Sequence, residues 1–68
     1  MKEIKINTDL IKLDAFLKWA GIVVMGSEAK MYIQEGKVKL NGKPETQRGK
    51  KLIKGDIIEF QGESYKII

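Results

Sequence analysis

At Gly36 the apolar residues of this chain change their spacing from that of a helix to that of a strand. Before it, Leu13, Phe16, Leu17 and Ala20 stand at i, i+3, i+4 and i+7, one stripe along a helix. After it, "KVKL" alternates Lys37 and Lys39 with Val38 and Leu40, the period of a strand with one buried face. Two periods, each in its own part of the chain, point to an α+β fold in which helices cover one face of a sheet.

Turn and cap residues mark the boundaries. "KEIKIN", Lys2 to Asn7, alternates and reads as a short strand. Asn7, Thr8 and Asp9 supply turn and cap chemistry, so the first helix begins either at Asp9 or near Leu13, and Gly21 ends it. "IVVMG" is a connector. Ser27 is placed to cap a second helix that stops at Gly36. On that helix Ala29 and Ile33 share a face, Ala29 being small enough for close helix approach, while Lys30 and Gln34 form a polar stripe. Asn41-Gly42 is a strong hairpin signal because both residues tolerate positive φ. Gly55-Asp56 and Gln61–Ser64 mark two later turns, with Ile58 and Phe60 facing inward between them and Tyr65–Ile68 as a final strand. The expected order is β-α-α-β-β-β-β: two packed helices against a small, mostly antiparallel four- to five-stranded sheet.

At 68 residues the chain is expected to form one domain spanning residues 1–68. A chain of this size buries only about 60% of its unfolded surface, so its core is thin. It has no cysteine and no histidine, which removes disulfides, thiolate metal sites, the usual general base and the commonest metal ligand. Its nine carboxylates show no ligand or acid/base spacing. No enzymatic activity, cofactor, metal or small-molecule substrate is therefore expected. The segment "MKEIKINTDL" has no apolar secretory core, and "GIVVMG" is far short of the roughly 20 residues of a spanning helix. A cytoplasmic location without membrane contact is the expectation.

The charge is unevenly placed. From Lys37 to Lys54 there are seven bases and one acid, a net of +6, while the remaining residues hold six bases and eight acids, a net of −2. Such a patch attracts phosphate backbones or other anionic surfaces.

"IKLDAFLKWAGI", "SEAKMYIQEGKVKLNGK" and "KGDIIEF" together resemble the ribosomal-protein-S-four type RNA-binding domain, the α-L motif, and within it the short stand-alone bacterial YaaA-like group. Leu13, Asp14 and Leu17 match the first block of the family pattern, with Lys12 standing where arginine is usual. Gly21, Ala29, Ile33, Gly36, Val38, Asn41, Gly42, Gly55 and Asp56 match in order, with Leu40 in place of a valine. The motif core runs over about residues 10–60. The family's serine-arginine pair falls on Met25-Gly26, so a basic side chain is missing where the second helix begins. Lys12 also lacks the bidentate fork of arginine. "RGKK", Arg48 to Lys51, offers compensating phosphate contacts.

The resemblance implies non-catalytic binding of structured RNA, ribosomal RNA or a ribosomal subunit, by a monomer working in ribosome assembly or ribosome association. The implied contacts are Lys12, Ser27 at the start of the second helix, Lys30, then Lys37 and Lys39 on the outer strand face. Asn41 and Lys43 follow at the turn, and Arg48, Lys50 and Lys51 in a mobile cationic loop. The patch has no interleaved aromatics to stack bases, so shape and backbone are the expected objects of recognition. Phe16 and Phe60 belong to the core, Tyr32 to its edge, and Trp19 flanks it or meets a partner. Met25 and Met31 read as packing residues. Asp14 reads as a cap and Asp56 as a turn residue.

Three rivals stand beside this reading. A basic module docking an acidic protein partner and a non-specific nucleic-acid binder use the same charge. A duplex-DNA reader is disfavoured, because "SEAKMYIQE" carries one base and no arginine.

Overall fold

The computed structural model describes residues 1–68. The chain runs β1 (Lys2–Ile4), β2 (Leu10–Lys12), α1 (Leu13–Trp19), α2 (Gly26–Gln34), β3 (Val38–Leu40), β4 (Lys43–Pro44), β5 (Lys51–Ile53), β6 (Ile57–Phe60) and β7 (Glu63–Ile67). Five strands form one sheet in the order β1-β7-β6-β3-β4, antiparallel throughout except for β1 against β7, which is parallel. β2 and β5 form a separate antiparallel ribbon. The mostly antiparallel sheet under two helices is the expected architecture. The ribbon and the parallel edge are additions to it, because each joins segments far apart in the chain.

Both helices end by the same device. At the end of α2 the Gly36 N–H donates to the Ile33 carbonyl and the Lys37 N–H to the Tyr32 carbonyl, with Gly36 at φ 74°. These are the paired bonds of a Schellman motif, which needs a left-handed residue after the helix. Gly21 and Ile22 repeat the arrangement behind α1, bonding to Lys18 and Leu17. The Asn41-Gly42 turn has positive φ at both residues, 51° and 88°, which matches the twist of the flanking strands. Gln61-Gly62 does the same between β6 and β7, so that turn is two residues long and Glu63 and Ser64 already belong to the strand.

One apolar core holds the layers together. Leu13, Phe16 and Leu17 from α1 and Ala29 and Ile33 from α2 pack with Val38, Leu52, Ile58, Phe60 and Ile67 from the strands. Phe16 is fully buried, and a side chain of that size stabilises by ~1.5–3 kcal/mol relative to exposure. Tyr32 sits at the margin, its ring 4.9 Å from that of Phe60. Trp19 is more than half exposed and donates from Nε1 to the Lys5 carbonyl at 2.9 Å, so it flanks the core.

One open boundary is settled and three local expectations are corrected. The first helix starts at Leu13, and Leu10–Lys12 is strand, because those residues pair with Ile53–Lys51. Its N-cap is Lys12 and no side chain caps it; the Asp14 carboxylate accepts instead from the Ala15 N–H at 2.7 Å. Ser27 lies inside the second helix rather than at its cap, which is Met25. Met25 and Met31 are exposed rather than packed.

Candidate nucleic-acid interface

The expected contact residues fall into two groups. The first lies along α2, β3 and β4. Lys30 is exposed on the outer side of α2. Lys37 is exposed but forms an ion pair with Glu35, Nζ to Oε1 3.2 Å. Lys39 stands directly opposite Glu59 on β6, and those two residues with Lys37 border one shallow cavity. Lys43 pairs with Leu40, so it leans toward the sheet face opposite to that of Lys39. The lysines that alternate along β3 and β4 are therefore split between two faces, and two of them sit beside a carboxylate.

The start of α2 is occupied by the chain itself. The Glu28 carboxylate accepts from the Val24 and Met25 N–H groups at 3.3 and 3.1 Å. An acid in the first turn satisfies the helix dipole and repels an incoming phosphate. Ser27 keeps an exposed position next to it.

Asn41 is committed to the fold. Its Oδ1 accepts from the Ile57 N–H at 2.9 Å, and its Nδ2 donates to Asp56 Oδ1 at 3.1 Å. Asp56 Oδ2 accepts in turn from the Ile53 N–H at 2.9 Å. The hairpin turn and the Gly55-Asp56 turn, fifteen residues apart at Asn41 and Asp56, are thus tied by side chains. This explains both motif positions without any ligand.

The second group gathers at the ribbon. Lys12 and Lys51 are directly opposite each other across β2 and β5. The segment carrying Arg48 and Lys50 is not a free loop. The Leu13 N–H donates to the Lys50 carbonyl at 2.8 Å and the Asp14 N–H to the Arg48 carbonyl at 3.0 Å. These two carbonyls satisfy the orphan donors that open α1, the work a capping side chain does elsewhere. The RGKK segment therefore packs its backbone on α1 and leaves its side chains outside: Arg48, Lys50 and Lys51 are all exposed. Sequence reasoning found these cations but missed the strand that brings Lys12 to them. The signal available was the apolar alternation of Leu10-Ile11-Lys12 against Lys51-Leu52-Ile53.

The Lys37–Glu35 contact is the only side-chain ion pair in the molecule. Lys12, Lys30, Lys39, Lys43, Arg48, Lys50 and Lys51 are exposed without one. No group of His, Cys, Asp or Glu is placed to hold a metal ion. No helix is long and apolar enough to cross a membrane.

A family model for the S4 domain matches residues 4–68. The curated protein "Probable ribosome maturation protein RlbA" of Bacillus subtilis is 41% identical over 59 residues, 87% of this chain and 83% of that one. "Putative RNA-binding protein YbcJ" of Escherichia coli is 34% identical over 58 residues, 85% of this chain and 83% of that one. The solution structure of YbcJ from E. coli, described as revealing an αL motif involved in RNA binding, superposes with a TM-score of 0.75. It is 30% identical, and the match covers all of this chain and 87% of that one.

Proposed function

The chain belongs to the S4 domain family, and from that premise we propose that it binds structured RNA without doing chemistry on it. The observation that carries this reading is the set of six exposed cations among the expected contacts, Lys12, Lys30, Lys43, Arg48, Lys50 and Lys51, none of which has an ion-pair partner or a carboxylate opposite it in a strand pair. Surface cations of that kind exchange their counterions for phosphates, which supplies affinity but little sequence information. Lys37 adds less, since its ion pair with Glu35 must be broken first, and Lys39 stands opposite Glu59 in the sheet. Ser27 adds an exposed hydroxyl, and Asn41 acts by holding the turn that presents Lys43.

On this reading the RNA is ribosomal RNA and the setting is ribosome maturation or association with a ribosomal subunit in the cytoplasm; the name of the Bacillus subtilis relative supports the ribosomal setting, and that of the Escherichia coli relative supports RNA binding. Residues 1–68 act as one RNA-binding unit, as a monomer. With no aromatic side chain among the cations, the unit reads backbone and shape.

The test is a salt titration of binding to a structured ribosomal RNA fragment, a DNA duplex of equal length and a single-stranded RNA. Six phosphate contacts give a log–log slope of roughly −4 to −5. Preference for the structured RNA that persists at high salt is the expected result. Equal, steeply salt-dependent binding to all three would overturn RNA recognition and leave a charge patch whose specificity comes from a protein partner.

A further inference from the structure

The outer face of the β2–β5 ribbon combines two features that a merely solvated surface has no reason to combine. Lys12 and Lys51 form a cross-strand pair, and Leu10 and Ile53 form the next pair on the same side. The inward residues of the ribbon are Ile11 and Leu52, the latter fully buried. Leu10 is 45% exposed and Ile53 57%, so about half of this apolar pair stays open to solvent.

Directly opposed side chains have Cβ atoms about 4.5–5.5 Å apart, and like charges in that position repel. Neither lysine has an acidic partner to relieve this. The Asp14 carboxylate, two residues along the chain from Lys12, accepts from the Ala15 N–H. Arg48 and Lys50 add to the same corner, because their carbonyls bond the first residues of α1. The corner therefore holds an uncompensated positive pair at fixed register, beside an exposed aliphatic pair roughly 7 Å along the strands.

We propose that this face is a phosphodiester site, in which one phosphate bridges Lys12 and Lys51 while the adjoining ribose lies on Leu10 and Ile53. A phosphodiester carries one negative charge, so placed between the two ammonium groups it offsets one of their two charges and weakens their repulsion, and binding stiffens the ribbon. The aliphatic pair separates a nucleotide from a free anion, since only the nucleotide has a sugar to cover it. The nucleotide half rests on the RNA reading above; the phosphate half stands without it.

The experiment is a pair of NMR titrations of the full chain, with inorganic phosphate and with the dinucleotide uridylyl-uridine, each against chloride at matched ionic strength. Phosphate is expected to shift the amides of Lys12, Leu13 and Lys51 ahead of those of Lys39 and Lys66 on the open sheet face. The dinucleotide is expected to shift the Leu10 and Ile53 methyl groups as well. In the double variant Lys12→Gln/Lys51→Gln the apparent phosphate affinity falls about fivefold or more. Its melting temperature in low-salt chloride is unchanged or raised, because the repulsion is gone. Equal shifts at Lys39 and Lys66, or a phosphate response retained in the double variant, would overturn the site. Ribbon amides that move while the Leu10 and Ile53 methyl groups stay still would overturn its nucleotide half. A failure of the RNA reading shows separately, as absent preference for structured RNA with the phosphate response intact.

Discussion

The two cationic regions of this protein differ in what stands beside the charge. Along β3, Lys37 pairs with Glu35 and Lys39 faces Glu59 across the sheet. At the ribbon, Lys12 faces Lys51, and Arg48 and Lys50 have no ion-pair partner. The β3 lysines are the more conspicuous in the sequence because they alternate with core residues. The ribbon cations are the more available in the structure. An exposed ion pair such as Lys37–Glu35 is worth only about 0–1 kcal/mol, yet it must be broken before the lysine meets a phosphate. Charge count alone therefore does not rank the two regions.

The largest expected effect tests whether the ribbon depends on the core. Leu52 is its buried anchor. Leu52→Ala is expected to cost about 2–4 kcal/mol in urea unfolding. A cost near zero would mean that the ribbon, and the charge it carries, is not held by the core at all. Next comes the assignment of Asn41 to the fold. Asn41→Ala strands the Ile57 N–H and one Asp56 oxygen, with an expected loss of about 1–3 kcal/mol in stability. RNA affinity, measured where the variant is fully folded, should change little; a large affinity loss with stability unchanged would return Asn41 to the interface.

The direct contest between the regions is smaller in energy. Arg48→Gln/Lys50→Gln/Lys51→Gln is expected to weaken structured-RNA binding about tenfold or more, ~1.4 kcal/mol. Lys37→Gln/Lys39→Gln should weaken it about two- to threefold under the same salt. The reverse ranking, read by fluorescence anisotropy, would invert the comparison. The finest probe releases one lysine from its acid. Glu35→Gln is expected to leave stability within ~0.5 kcal/mol and to tighten RNA binding by less than about threefold.

Much of this protein was legible before any coordinates. The stripe Leu13, Phe16, Leu17 and the pair Ala29, Ile33 are buried as their spacing required. Gly21, Gly36 and Asn41-Gly42 stop and turn the chain where their conformational freedom suggested. Each of these rests on contacts within a few residues. Two features escaped the sequence because their partners lie far along the chain, and one for a local reason. Leu10–Lys12 looked like the lead-in to a helix because its partner strand lies some forty residues on. Ser27 looked like a cap because the Glu28 carboxylate, which bonds back to Met25, could not be foreseen from a list of favoured capping residues. The RGKK segment looked mobile because its backbone bonds reach to Leu13 and Asp14.

The sequence by itself determined the two helices, the hairpins and the sign of the surface, because periodicity, turn chemistry and side-chain charge are local properties. Only the tertiary structure decided which cations stand together and which stand next to an acid. Strand register sets side-chain neighbours across the whole length of the chain. A register between Lys12 and Lys51 is the outcome of packing Ile11 and Leu52 against the core, and no property of either lysine encodes it.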